Sequence, residues 1–115
     1  MECDVNLKKV LWASIEDYCG LWELVWEINT LHPALSSKAS QHIALQCMLQ
    51  LISKDLVELF YCQEPYGEMI AITDKSRYPE LLQNPKIWTP PMTGSRSIRV
   101  SATGDGEKYY DNMGD

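Results

Sequence analysis

Residues 51–62, LISKDLVELFYC, decide the fold, because one structural pattern ends within them and another begins. The first letters close a long run in which apolar residues recur at helical spacing. Beyond the Lys54-Asp55 pair, residues 56–62 include Val, Phe and Tyr, which favour strands. The stretch therefore predicts a helix that passes directly into a strand.

Two helices are predicted upstream of this junction. Residues 21–31, LWELVWEINTL, repeat apolar side chains at helical spacing, and Pro33 ends that helix because it disfavours helical geometry at His32. Residues 36–40 supply helix-start residues, and one central helix is predicted from there to Lys54.

The amino-terminal segment predicts further helical structure. Residues 5–13 carry an apolar stripe, and Asn6 is a candidate cap for a short helix. Ser14 has an acid three residues later, which indicates the start of another helix.

The carboxy-terminal half predicts a small sheet with short helices between its strands. Pro65 and Gly67 mark a turn that joins the first strand to a second one in a hairpin. Trp88 is expected to anchor an extended, proline-containing loop to the body. The predicted elements are strands at 68–73 and 97–103, a helix at 78–83, a loop at 86–94, a turn at 104–106 and a final helical turn at 107–112.

Length and composition indicate one soluble domain, residues 1–115. Hydrophobic residues make up 45% of the 115-residue chain and charged residues 23%, as in an ordinary globule. No apolar run approaches the length that a bilayer needs, and the start, MECDVNLKK, lacks the order of a signal peptide. A cytoplasmic location is therefore expected.

The charge balance favours a protein partner over nucleic acid. The formal net charge is −6, from 16 acids against 10 Lys and Arg. Such a surface repels phosphate unless its basic residues cluster.

Two short motifs make the chain resemble the winged helix-turn-helix family. In LISKDLVELFYC, Leu56-Val57 stands at the step from the last helix into the wing, and Asp55 takes the place usually held by Gly. In SATGDGEKYY, residues 101–110, the exit from the second wing strand is carried by Thr103, Gly106 and Tyr110. A second likeness is to small bacterial proteins of uncharacterised role.

The resemblance implies an α+β fold, with amino-terminal helices followed by a small antiparallel sheet with an elaborated wing. Two departures qualify it. More than forty residues separate Leu56-Val57 from Thr103, so an insertion at about 74–96 is expected within the wing. Between Pro33 and Lys54 there is little sign of two separate helices, so the second helix of the motif is predicted to be very short or missing.

The DNA-binding alternative rests on the central helix. Residues 28–54 contain no acid, and Ser and Gln side chains can donate to phosphates or bases. The segment also lacks Arg, and Glu64 and Glu68 at the wing turn would face a phosphate backbone. Trp22 and Trp26 are assigned to the core rather than to a base-stacking platform. The candidate DNA-binding residues are Lys38, Gln41, His42, Gln46, Gln50 and Lys54.

The leading functional hypothesis is a non-enzymatic protein-binding domain. An acidic protein with aromatic anchors suits an inhibitor or immunity-type partner of a basic protein. A homodimer through the aromatic amino-terminal helices is left open. The candidate protein-binding residues are Tyr61, Glu64, Tyr66, Glu68, Tyr78 and Trp88.

Catalytic, cofactor and metal signals are weak. His32 and His42 have no Ser or Cys in a recognisable nucleophile setting, and residues 104–106 lack the ending of a phosphate loop. The cysteines contain no CxxC pair and are expected to be reduced, buried thiols, with a disulfide or zinc site as the alternative. They are Cys3, Cys19, Cys47 and Cys62.

Overall fold

A computed structural model describes residues 2–16, 18–64 and 67–113, without the side chains of residues 2–4. Its first element is one long helix, α1 (Glu2–Glu16). Ser14 was expected to start a helix, but it lies inside α1 and its hydroxyl donates to the Val10 carbonyl at 2.9 Å. The expected cap, Asn6, also lies within α1, where it is buried and its Oδ1 is 2.8 Å from His32 Nε2.

The next two helices are joined by residues 32–36. Helix α2 (Leu21–Leu31) has the predicted bounds, and the His32 N–H closes it by donating to the Ile28 carbonyl at 3.0 Å. Helix α3 (Ser37–Ser53) begins where the Ser36 hydroxyl accepts the Ala39 N–H at 3.1 Å. Between Pro33 and Lys54 the structure has one helix, α3, as the sequence indicated, and the helix before it is α2.

The junction in LISKDLVELFYC has the predicted form. Helix α3 ends at Ser53, and Asp55 adopts a left-handed conformation with φ of 60°. The N–H groups of Asp55 and Leu56 donate to the carbonyls of Ile52 and Leu51, each at 3.0 Å, so carbonyls at the helix end are satisfied. Strand β2 then follows directly.

Four antiparallel strands form a sheet in the order β1-β4-β2-β3. Strands β2 and β4 make the longest pairing, in a register that sets Leu59 opposite Val100. These two side chains are fully buried, and together with the inner faces of the helices they form the core. The strands are β1 (Cys19–Gly20), β2 (Val57–Gln63), β3 (Met69–Ala71) and β4 (Arg96–Ala102).

The segment between β3 and β4 is more regular than predicted. A 3-10 turn (Lys75–Arg77) leads into α4 (Tyr78–Leu82), and a second 3-10 turn (Pro85–Trp88) replaces the start of the predicted extended loop. Trp88 anchors it, as expected, because its side chain is 3% exposed and its indole N–H donates to the Leu82 carbonyl at 2.9 Å.

The last helix, α5 (Gly104–Asn112), begins three residues earlier than predicted. Residues 104–106 were expected to form a turn, but they are the first turn of α5. Thr103 caps it by accepting the Gly106 N–H at 3.0 Å.

Across the described residues the protein is an α+β domain of five α-helices and the four-stranded sheet. None of the helices in this part of the chain is both long and apolar enough to cross a membrane.

Candidate functional site

The polar side chains predicted to contact DNA lie along α3. Lys38, His42 and Gln46 are exposed and recur every four residues, so they share one side of the helix. The buried positions of α3, including Ala44 and Met48, face the core instead. The helix therefore brings most of this predicted set to the surface.

The same surface is partly apolar. Leu45, Leu49 and Ile52 are half-buried at the margins of the polar side chains. Near the end of the helix, the Lys54 ammonium lies 6.0 Å from the centre of the Tyr109 ring. Gln41 and Gln50 are half-buried, so they offer less surface to a ligand than Lys38 does.

Asn29 fixes the turn that precedes α3, a role that sequence reasoning missed. Its side-chain amide donates both to the Leu35 carbonyl and to the Ser40 hydroxyl, at 2.9 Å each. These bonds join α2 to the first turn of α3. The two N–H bonds of one amide group supply both contacts, and an Asn near the end of a predicted helix was the signal available in the sequence.

Arg99 on β4 and Glu64 at the end of β2 form a partly buried ion pair. Arg99 donates two hydrogen bonds of 2.9 Å to the two carboxylate oxygens, and the Ser97 hydroxyl donates a third. The hydrogen bonds from Arg99 are the main cause that lowers the pKa of Glu64 to about 2. Arg99 also donates to the Tyr18 carbonyl at 2.9 Å, which ties the wing to the segment before β1.

Three members of the predicted protein-binding set are buried. Glu64 is 8% exposed and paired with Arg99, and Trp88 and Tyr78 are 3% and 1% exposed. The Tyr78 hydroxyl donates to the Ile72 carbonyl at 2.7 Å and accepts the Leu59 N–H at 3.2 Å. These side chains were expected to be contact anchors, but their polar atoms bond to groups inside the protein.

The remaining members lie near the wing. Tyr61 is half-buried beneath the Arg96 guanidinium, whose Cζ is 4.2 Å from the ring centre, and Glu68 is exposed. Both line a cavity of about 330 Å³ together with Ile70. Tyr66 lies outside the described residues.

Exposed apolar side chains appear where they were not predicted. Trp22 is buried, as expected, but Trp26 is 56% exposed, so its assignment to the core is wrong. The stripe of α2 that packs inward is narrow and leaves Trp26 on its outer side. Met92 on the wing loop is 78% exposed.

The three described cysteine side chains are buried, as expected. Cys19, Cys47 and Cys62 are free and buried, and burial is the main cause that raises the pKa of Cys19 to about 12. The side chain of Cys3 lies outside the described part of the chain. Within residues 2–16, 18–64 and 67–113, no group of three or more His, Cys, Asp or Glu side chains is placed to hold a metal ion.

Comparison with known proteins adds no relative. No family model matches this chain, and no curated protein or solved structure matches it significantly.

Proposed function

We propose that this protein is a winged helix-turn-helix domain that binds duplex DNA through α3, without catalytic activity. The observation that carries the proposal is the chain order α1, β1, α2, α3, β2, followed after β3 and α4 by β4, in which the short β1 pairs with β4 beside β2. In this arrangement α3 stands beside a wing built from β2 and β4, as in the family that the sequence resembles.

Two objections drawn from the sequence become weaker. A separate second helix exists, since α2 and α3 are joined by the five residues 32–36. Glu64 does not face outward at the wing, because Arg99 holds its carboxylate within the protein. Glu68 stays exposed, so this objection is reduced by one acid rather than removed.

The chemistry of α3 suits a modest, mainly electrostatic contact. Its exposed start offers the Ser36 and Ser37 hydroxyls with the Lys38 ammonium, in a stretch free of acids from residue 28 to residue 54. Backbone N–H groups and hydroxyls at the start of a helix bind phosphate readily. His42 and Gln46 follow on the same side, where an amide can pair with adenine.

A salt titration on a short mixed-sequence duplex tests the proposal by fluorescence anisotropy. We expect binding at about 50 mM salt that weakens steeply toward about 200 mM, because displaced counterions drive it. Lys38→Glu should weaken binding about tenfold, since it replaces a favourable contact with a repulsive one. The matched control is Lys108→Glu on α5, which makes the same charge change at another exposed position.

The proposal is overturned if the wild type does not bind duplex at low salt. It is equally overturned if Lys38→Glu and Lys108→Glu weaken binding to the same extent, because the effect would then reflect net charge alone.

A protein partner remains the second candidate, favoured by the 56% exposure of Trp26 on a protein of net charge −6. Exposed Trp side chains are frequent anchors of protein interfaces. In this candidate the chain is an acidic inhibitor of a basic protein, with Trp26 replacing the buried Tyr78 and Trp88 as the anchor. Tight, salt-sensitive duplex binding that depends on Lys38 would argue against it.

A further inference from the structure

The inserted segment encloses a cavity against the end of the sheet. The cavity measures about 570 Å³, which is within the range of small-ligand sites. Its walls come from the 3-10 turn Pro85–Trp88, the loop at 89–95 and the start of β4. A wing without the insertion would have no such enclosure.

Backbone hydrogen bonds hold the loop that forms one wall. The Ser95 N–H donates to the Met92 carbonyl at 2.9 Å, and the Ser95 carbonyl accepts the Glu64 N–H at 2.9 Å. The Gly94 N–H returns a bond to the Glu64 carbonyl at 3.1 Å. The loop is therefore tied to the end of β2, and the cavity is formed before any ligand arrives.

The lining has the opposite charge balance to the rest of the chain. Ten described residues line the cavity, and Lys86 and Arg96 are the charged ones among them, with no acid. Neither cation is ion-paired with any residue in the described part of the chain. In a protein with 16 acids and 10 Lys and Arg, this lining carries two cations and no acid, although Arg96 also lines the neighbouring cavity that contains Glu68.

The Arg96 guanidinium lies against an aromatic ring, which restrains it where it can bind an anion. Its Cζ lies 4.2 Å from the centre of the Tyr61 ring, and Tyr61 is in turn half-buried against the core. A guanidinium stacked on an aromatic ring keeps its N–H groups, at the edge of its plane, available for oxygen acceptors. The ring thus limits the side-chain entropy that would be lost on binding.

The opposite side of the lining is apolar. Ile87 is half-buried beside Trp88, and Pro90 and Pro91 add rigid apolar surface. Met92, 78% exposed, stands at the margin, where its flexible thioether can close over an apolar group. The cavity therefore offers both a charged end and an apolar side.

We propose that this cavity binds a small amphiphilic organic anion. A carboxylate or phosphate group contacts Arg96 and Lys86, and an aromatic or aliphatic body packs against Ile87 and the two prolines. No residue of α3 lines the cavity, and the proposal does not depend on DNA binding. A free small acid and the DNA backbone each carry a negative group that could contact Arg96 and Lys86. Only the small acid also carries an apolar body, so binding that depends on this body distinguishes the two ligands.

Backbone amide shifts of the isotope-labelled full chain test the proposal, with benzoate, octanoate and phenyl phosphate as probes. At least one probe should produce saturable shifts confined to residues near the cavity, such as Ile87, Ser95 and Ser97. A neutral match of the same shape, benzamide for benzoate, should bind at least about tenfold more weakly, because it lacks the charge-assisted hydrogen bonds.

Matched variants test whether Arg96 and Lys86 contact the charged group of the probe. Arg96→Gln and Lys86→Gln should each weaken the bound probe about tenfold, whereas Lys108→Gln on α5 should leave it unchanged. Amide spectra of the free variants show whether each remains folded, and the exposed Lys86 provides a variant whose fold is safe.

Four results overturn the proposal. The first is that none of the three probes gives saturable shifts at the cavity, and the second is that benzamide binds as well as benzoate. The third is that inorganic phosphate binds as well as phenyl phosphate, which shows an adventitious ion only. The fourth is that the two Gln variants bind the probe as Lys108→Gln does. Duplex DNA that shifts the same amides while the three probes do not would assign Lys86 and Arg96 to the DNA backbone.

Discussion

Arg99 on β4 and Glu64 at the end of β2 form a two-pronged ion pair, with Nε and one terminal nitrogen each 2.9 Å from a carboxylate oxygen. The pair links the tip of the wing to the sheet, and the further bond from Arg99 to the Tyr18 carbonyl extends this link to the segment before β1. Two parallel bonds fix orientation as well as distance. The ends of β2 and β4 are therefore held together by charge as well as by strand pairing.

Replacing Arg99 should strongly reduce the free energy of unfolding. In Arg99→Met the Glu64 carboxylate, 8% exposed, keeps its charge without its partner. We expect the free energy of unfolding to fall by about 3 kcal/mol, because breaking a buried pair leaves one charge uncompensated. Urea denaturation at neutral pH measures the change.

Lys75→Met is the matched control for this experiment. It also removes the cation of an ion pair, with Asp55, but the two side chains are 43% and 67% exposed. We expect a loss below about 1 kcal/mol, since exposed pairs contribute little. Equal losses in the two variants would show that the Arg99 pair is no more than a surface contact.

The same pair predicts how stability depends on pH. Its folded-state pKa of about 2 lies below the ordinary Glu64 value of 4.5, so the carboxylate stabilises the fold above about pH 4.5. This contribution is lost as the pH falls from about 4.5 toward 2, and the shift corresponds to about 3 kcal/mol in total. Acid should therefore weaken the wing more than the helices.

Urea denaturation of the wild type and of Glu64→Gln between pH 2 and pH 7 checks this dependence. Glutamine cannot ionise, so the difference in unfolding free energy between the two proteins should be constant above about pH 5 and shrink below about pH 4.5. A difference that stays constant down to pH 2 would mean that the Glu64 pKa is not depressed.

The sequence predicted elements whose pattern lies within one segment. The helix at 21–31 has its predicted bounds, and helix α3 passes into strand β2 at Asp55 as predicted, because local apolar spacing determines both. Strand β1 was missed, since two residues cannot display a period and it exists only through pairing with β4.

The contacts of the candidate sites were harder to predict because they join distant residues. Arg99 and Glu64 are 35 positions apart, so nothing in the local sequence indicates that the glutamate is paired and buried. The cavity beside Arg96 likewise depends on how the insertion folds back onto the sheet. Trp26 shows the converse error, because it was assigned to the apolar face of α2 and yet is 56% exposed.

Asp55 tests how much the left-handed residue at the junction contributes. Its φ of 60° is tolerated by Asp, favoured by Gly and unfavourable for residues with a larger or branched Cβ. We expect Asp55→Ala to lower the free energy of unfolding by about 1 kcal/mol and Asp55→Val by more, whereas Asp55→Gly should be neutral or stabilising. Lys54→Ala, at a residue with φ of −99°, is the control that should change little. The geometry would be disproved if Ala and Gly at position 55 gave equal stability.

Gly106 and Gly104, two glycines in the first turn of α5, are expected to respond in opposite ways to alanine. A Cβ added to Gly106 would lie 2.1 Å from the Leu56 carbonyl oxygen, whereas nothing lies within 4 Å of one added to Gly104. Gly106→Ala must displace α5 from the backbone at the start of the wing, so we expect a loss of at least about 2 kcal/mol. Gly104→Ala should leave stability unchanged or raise it by up to about 1 kcal/mol, because alanine favours helix. Thermal and urea denaturation of the two single variants make the comparison within one helix. If Gly106→Ala were as stable as Gly104→Ala, the close approach of α5 to Leu56 would be refuted, and the glycine of the Thr103–Gly106 motif would need another explanation.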